Sequence, residues 1–556
     1  MENATLELFC VNNQKTYTFP LGISLMEALE EIKLESDLPI VSAKVNRVNK
    51  GMDFRIYSPK DVEYLSIKDD AGMRAYIRSL HFIIYKAVKD LFPNGKLILE
   101  YPLSEGVFCH IEKEKDADIS IDDLQKLKEQ VQKIIDEDLT FHFKECKREE
   151  AIELFRKKGM EDKVHLLETN ANLYLRYYTL GDEADYYYGC LVPSTKYISA
   201  FDIVPYGNGF LVLGCDKNNS KKVPSFRFEY KLLSTLQEFD AINRQLGLDT
   251  VGKINNAIIE GKSAEIIKVT EALQERKVAS IADEIVKREQ AKVILISGPS
   301  SSGKTTFAKR LAVQLMTQLK KSKPVSMDNY FVDRDFTPLD EEGKPDYESI
   351  RAVDMELFTQ QVSALLNGEG VYMPKYDFAS GQKIFSTKEE RLEEDEILLI
   401  EGIHCLNPEI LKTIPEETKY RIYVSALTTL SLDYHNCITM SDNRLIRRII
   451  RDVKFRKYSV QRTLQWWTEV RKGEKKWIFP FQENADVIFN SALPYELALL
   501  KRQAVPALET VPCDSPDYSE VKRLLNLFSY VTPILNDEVP QTSLLREFFG
   551  GSSFRY

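Results

Sequence analysis

The rhythm of hydrophobic and polar positions changes several times along the chain. Over residues 4–63 two strand-like runs, TLELFCV and KTYTFPL, flank Asn12 and Asn13, and SLMEALEEI then takes helical spacing. Residues 70–92 (DAGMRAYIRSLHFIIYKAVKDLF) predict an amphipathic helix stopped by Pro93 and Gly95. An Asp-rich start and apolar residues at intervals of three and four predict a helix over 119–136, and a further helix is predicted over 148–158. Short strand-like runs return from 186 to 232, broken by Gly189, Pro193, Gly207, Gly209 and Pro224. Residues 250–290 are polar, helical in spacing and poor in breakers, which predicts one connecting helix. At 291 the pattern becomes α/β: a buried strand (VILIS), a glycine loop, a helix, a strand (PVSM) and later a second buried strand (EILLIEG). Residues 515–549 read as helical, and the closing GGSSFRY reads as a loose tail.

Length and charge narrow what such a chain can be. At 556 residues it is too long for one core, so several domains are expected. A net charge of −10 argues against a protein that coats nucleic acid, although 451–476 (RDVKFRKYSVQRTLQWWTEVRKGEKK) is locally basic. No apolar run approaches the roughly 18 residues that span a bilayer, and MENATLELFC lacks the pattern of a secretory signal. Eight scattered cysteines with no C-x-x-C pair read as reduced thiols rather than a disulfide frame or zinc site. A cytoplasmic protein with no membrane partner is expected.

The strongest chemical signal is Gly298-Pro-Ser-Ser-Ser-Gly303-Lys304-Thr305, which fits G-x-x-x-x-G-K-[ST] in full. Gly298 and Gly303 allow the tight turn that aims backbone N–H groups at phosphate oxygens, and Ser300, Ser301, Ser302 and Thr306 are assigned with them to ATP. Lys304 supplies a cation to the outer phosphates, and the Thr305 hydroxyl suits Mg²⁺. A strand before and a helix after give the anion a helix N-terminus. Asp328, closing PVSM, and Glu401, closing EILLI, fall where ligands sit in open parallel sheets. One carboxylate is expected near the metal, and the second could serve as base toward an acceptor hydroxyl. Arg444, Arg447, Arg448 and Arg451 share roughly a 100° arc of an ideal helix, and such crowding calls for an anionic partner. Trp466, Trp467 and Trp477 could stack a base, although packing is the commoner fate of tryptophan.

Together these residues resemble the uridine kinase/phosphoribulokinase family of P-loop kinases over roughly 290–495. The ordered motifs are the P-loop, SMDNYF, KYDF at 375–378, LIEGIH, NRLIRRIIRD and ADVIF at 485–489. The resemblance makes Asp328 the base toward a nucleoside 5′-hydroxyl and gives Glu401, with Thr305, to Mg²⁺. The arginine helix becomes a lid over the phosphates of ATP: Arg444 and Arg447 act in transfer, Arg448 and Arg451 in binding. Tyr330, Glu348 and Tyr376 go with Asp328 to the acceptor. Two departures stand out. The family's F-D-H-P segment, whose aspartate binds ribose, corresponds to Tyr347-Glu348-Ser349-Ile350, and Gly381 takes the place of a base-reading histidine.

The first half resembles the N-terminal region of threonyl-tRNA synthetases. Residues 4–63 look like their TGS domain, an acidic β-grasp fold. YKAVKDLFP, SEGVFCHIE, IDDLQKLKEQVQKIIDEDLTF, REEAIELFRKKG and GCLVPSTKYISAFDIV look like the editing domain that follows it. Editing needs two histidines four apart, then a cysteine and another histidine four residues on. The matching positions are Arg78, Phe82, Tyr187 and Leu191, and His81 sits one position off, so this half reads as an inactive relative.

The expected fold is therefore multidomain α+β and α/β. Residues 1–64 form a TGS-like β-grasp domain, 65–248 an editing-like domain, 249–289 a helical linker, 290–500 a P-loop kinase domain with a parallel sheet, and 501–556 a helical segment and tail. The expected activity is transfer of the γ-phosphoryl group of ATP, with Mg²⁺, to a uridine- or cytidine-like nucleoside. Alternatives are a kinase of another small hydroxyl metabolite and a nucleotide-gated RNA- or ribosome-associated protein. A homo-oligomer is expected, and RNA contact is assigned to the TGS-like region.

Overall fold

The computed structural model describes residues 4–113, 119–377, 380–535 and 537–555. Near the N-terminus, strands Lys15–Pro20, Thr5–Cys10, Lys60–Ser66, Ile40–Val45 and Val48–Lys50 make a five-stranded mixed sheet in that spatial order. Alternation puts Leu6, Leu8 and Cys10 on the buried face, where they meet Leu25, Ala28 and Ile32 of helix Leu25–Ile32. That helix starts where the pattern predicts, because Ser24 and Glu27 form a reciprocal capping box.

Helix Asp70–Leu91 then runs through the centre of the first half with thirteen buried residues. A four-stranded antiparallel sheet, helix Ile121–Asp136 and a three-stranded sheet pack around it. Within this packing the Phe82 ring lies 5.7 Å from Tyr187 and 5.9 Å from Phe141, and Leu191 is buried. This aromatic packing borders buried polar groups: the Tyr85 ring lies 4.6 Å from the His435 ring, and His81 is buried in the same helix.

The second half is built on a parallel sheet of β1 (Val293–Ser297), β2 (Lys321–Ser326), β3 (Glu396–Glu401), β4 (Lys419–Ser425) and β5 (Val487–Asn490), in the order β2-β3-β1-β4-β5. Strand β1 is buried throughout, as a central strand covered on both faces must be. One face packs on Phe307, Leu311 and Leu315 of helix Lys304–Thr317, together with Val278, Ile281 and Ile285. The other meets Phe358, Val362 and Leu365. The molecule is thus a mixed α/β, multidomain protein whose kinase-like half carries the parallel sheet. Among the described residues, no helix is long and apolar enough to cross a membrane.

Three local expectations change. The segment 250–290 forms two helices, Val251–Ile259 and Ser263–Lys287, because Gly261 turns the chain between them. Among the described residues of 515–549, helix covers only Tyr518–Ser529 and Arg546–Phe549; Pro533 and Pro540, which disfavour a helix interior, lie between. The tail is tied down through residue 555: the Ser553 amide donates to Gln541 O at 3.0 Å, and Lys309 Nζ donates to Arg555 O. Phe378 of KYDF lies outside the described residues.

A short hairpin from the second half, Ser431–Asp433 with Asn436–Cys437, inserts into the first. Lys163 Nζ stands 2.8 Å from both Asp185 and Asp433, and His435 Nδ1 is 2.6 Å from Asp185. All four side chains are buried, so the two halves share an ionic cluster as well as a continuous apolar core.

Candidate active site

The carboxyl ends of β1, β2 and β3 meet at one cleft. Two glycines permit the loop after β1. A Cβ on Gly298 would stand 1.9 Å from Val424 O. Gly303 holds φ at +86°, and a Cβ there would stand 2.3 Å from Leu544 Cδ2. Lys304 opens helix Lys304–Thr317, and its Nζ donates to Gly298 O at 2.8 Å and Pro299 O at 3.2 Å.

Opposite the loop, Glu401 accepts from Thr305 Oγ1 at 3.4 Å through one oxygen and from Ser326 Oγ at 2.9 Å through the other. Adjacent strand ends thus supply the Glu401 carboxylate and the Ser326 hydroxyl, and the first turn of helix Lys304–Thr317 adds the Thr305 hydroxyl. Burial pushes the Glu401 pKa up, the nearby Asp328 charge adds to this, and Lys304 opposes it. Asp328 follows β2 in the turn Met327–Tyr330 and stays open to solvent in the cleft. The protein mass around it still raises its pKa, against the pull of Lys304 and Arg456. Glu348 comes from a separate loop and is pushed up to about 7, first by burial and then by Glu474, with Arg448 and Lys304 opposing.

The arginine helix, Met440–Arg451, is capped by Thr439 and divides its cations between two tasks. Arg444 forms a two-pronged pair with Glu474, one prong 2.7 Å, and donates to Ser300 O at 3.1 Å. Arg447 pairs in the same way with Glu496, binds Ser491, and reaches Ser301 O and Ser302 O at 3.4 Å each. Both are buried, and both hold the phosphate loop by its carbonyls. Arg448 donates to Ser300 Oγ at 2.8 Å and shares Asp452 with Arg451. Trp467 is buried under Arg444, its ring centre 5.2 Å from the guanidinium carbon. Packing is therefore its fate.

The remaining acceptor-side residues separate. Tyr376 lies edge-on to Phe331 at 5.7 Å, and its amide donates to Asn329 Oδ1 at 3.3 Å, which ties it to the Asp328 turn. Tyr330 is buried on the far side of that turn, where its hydroxyl donates to Gln361 at 2.8 Å. The structure thus gathers Lys304, Thr305, Asp328, Glu348, Glu401 and Arg448 around the cleft and leaves Tyr330 behind its wall.

Sequence reasoning missed Ser326, Glu474, Glu496 and Glu547. Glu474 had a faint signal, as the single acid in the basic run RKGEKK. Glu547 had none; it accepts from Thr306 Oγ1 at 2.5 Å across 241 residues of sequence.

Residues 293–497 match the Phosphoribulokinase / Uridine kinase family. A uridine kinase of Ligilactobacillus salivarius is 30% identical over 206 residues, which is 37% of this chain and 87% of that kinase. The chain belongs to the phosphoribulokinase/uridine kinase family. It is accordingly a phosphotransferase with an alcohol acceptor. A uridine kinase of Chloroflexus aurantiacus is 27% identical over 223 residues, 40% of this chain and 97% of its own length. A threonine–tRNA ligase of Carboxydothermus hydrogenoformans is 27% identical over 201 residues, 34% of this chain but only 30% of the ligase.

Proposed function

We propose that this protein is an ATP- and Mg²⁺-dependent nucleoside kinase that phosphorylates the 5′-hydroxyl of a uridine- or cytidine-like substrate. The observation that carries the reading is the convergence of Thr305, Ser326 and Glu401 on one point, with Asp328 on the next strand end and Lys304 facing both. An all-oxygen donor set of this kind fits a hard divalent cation, so Thr305 and Glu401 would hold Mg²⁺. When bound, the ion would neutralise charge on the transferred phosphoryl group.

The remaining roles follow from charge and position. Lys304 and the loop amides bind the β- and γ-phosphates. Asp328 orients the acceptor hydroxyl and takes its proton; a carboxylate with a raised pKa is a better base, provided it stays ionised at working pH. Arg448 reaches Ser300 in the loop and lies near enough to Glu348 to lower its pKa, which suits it to phosphoryl oxygens. Arg444 and Arg447 act from behind by fixing the loop through Ser300–Ser302. Most of the rate comes from positioning and electrostatics rather than covalent chemistry.

A second acceptor class, another small hydroxyl metabolite, is favoured by Glu348, where the family's ribose-binding aspartate would stand, and by Gly381 in place of a base-reading histidine. The ligase relative supports a synthetase-like accessory region: a TGS-like β-grasp module over 1–64, an editing-like domain over 65–248, a linker over 249–289, the kinase domain over 290–500 and a C-terminal segment over 501–556. The filled centre at Phe82, Tyr187 and Leu191 supports an inactive editing site. RNA contact, if made, would use the TGS-like module. The test is ADP release from ATP against a panel of nucleosides, sugars and tRNA. Stimulation by pyrimidine nucleosides supports the first reading, by another hydroxyl compound the second, and by RNA alone neither.

A further inference from the structure

The phosphate loop is already engaged at both ends by carboxylates of the protein itself. At its start, the Ser300 amide donates to Glu474 at 3.1 Å, and Arg444 locks that glutamate in place. At its end, Thr306 donates to Glu547 through Oγ1 at 2.5 Å and through its amide at 3.3 Å. Thr306 is the third residue of helix Lys304–Thr317. Its amide is one of the orphan donors at a helix start that attract anions. In a G-x-x-x-x-G-K-[ST] loop, amides of this region cradle the α- and β-phosphates. Glu547 therefore occupies donors that a nucleoside triphosphate would use.

The segment carrying Glu547 is firmly seated. Leu544, Leu545, Phe548 and Phe549 are buried, and Leu544 lies over Gly303 so closely that the glycine could carry no Cβ. Phe548 packs beneath Arg447, its ring centre 5.1 Å from the guanidinium carbon, and Lys454 Nζ holds Phe549 O. Glu547 alone among these residues turns a charged group into the loop. Its own neighbours disfavour that position, since Glu401 and Asp328 place two more carboxylates in the same cleft.

We propose that residues 543–549 form an intrasteric gate on the phosphate-donor site, in which Glu547 mimics a donor phosphate and ATP enters by displacing its carboxylate from Thr306. The apolar side chains stay as the wall of the site while the Glu547 side chain swings out. The gate rests on the reading of the P-loop as the donor site. It makes empty enzyme a closed state and charges ATP binding with opening it.

The test compares full-length wild type with Glu547→Gln, which keeps the packing, and Glu547→Ala, using calorimetric titration with Mg·ATP and steady-state transfer to the best acceptor of the panel. Removing the competing carboxylate is expected to tighten ATP binding about tenfold and to lower the KM for ATP by the same factor, leaving kcat and the acceptor KM unchanged. A purely structural Glu547 would instead lower the melting temperature and leave ATP affinity unchanged or weaker. That result in both folded variants overturns the gate. Tighter ATP binding with no acceptor phosphorylated keeps the gate and sinks the kinase reading. Equal ATP binding with normal transfer does the reverse, and no ATP binding by any of the three proteins removes both.

Discussion

The centre of the first half and the cleft of the second are built on opposite physical terms. Around Phe82, Tyr187 and Phe141, aromatic rings pack against one another. Around the loop, five carboxylates (Asp328, Glu348, Glu401, Glu474 and Glu547) crowd together, and the surrounding protein raises the pKa of the first three. Buried carboxylates cost stability unless cations pair with them, as Lys163 does with Asp185 and Asp433, and a crowd of them facing a cleft marks a candidate ligand site. The two regions therefore differ in what they bury: aromatic rings in the first, ionisable groups facing a cleft in the second. The Lys163–Asp185–Asp433–His435 cluster joins the two.

The contrast can be broken most sharply at Asp328. Asp328→Ala is expected to lower transfer by about 10²–10⁴-fold while ATP binding survives, which single-turnover kinetics and titration would separate. Loss of ATP binding itself would deny Asp328 an acceptor role. At the junction, Lys163→Met leaves Asp185 and Asp433 buried without their shared cation, at a cost of about 3–5 kcal/mol. Denaturant unfolding followed by probes in each half should then show both halves weakened together; destabilisation of one half alone would refute the coupling. In the first half, Phe82→Ala should cost about 3–5 kcal/mol through the cavity it leaves, with kcat and KM of the surviving folded protein unchanged.

The smallest expected effect is a slope with pH. Glu348 has a folded pKa raised from 4.5 to about 7, so it binds its proton more tightly in the folded than in the unfolded chain. Its contribution is complete below about pH 4.5 and is lost as pH rises through about 7, a change of at most about 3 kcal/mol because the group is only half-buried. Glu348→Gln should flatten that part of the stability–pH curve measured by urea titration. An unchanged slope would locate the titration elsewhere.

The parts of this architecture that were legible in the sequence are short-range. The run VILIS, the glycine loop and the arginine arc each need only local spacing, and each forms where its pattern predicts. Asp328 and Glu401 were legible for the same reason, since strand ends in a parallel sheet converge on one edge. The connecting segment and the C-terminus were misread where Gly261, Pro533 and Pro540 interrupt otherwise helical composition. Motif position assigned Tyr330 to the acceptor, and the structure packs its side chain against Phe358, a contact that local spacing does not encode.

By itself, the sequence determined the glycine loop, the two strand-end acids and the basic helix as local elements, because each is encoded by contiguous residues. Only the tertiary structure decided which cations remain for a ligand. Arg444 and Glu474 are 30 residues apart, Arg447 and Glu496 49, and Thr306 and Glu547 241. Pairings over such distances are set by how helices pack on the sheet, and no local spacing carries that information. The same packing converts four look-alike arginines into two that brace the loop and two, Arg448 and Arg451, that share one aspartate beside the cleft.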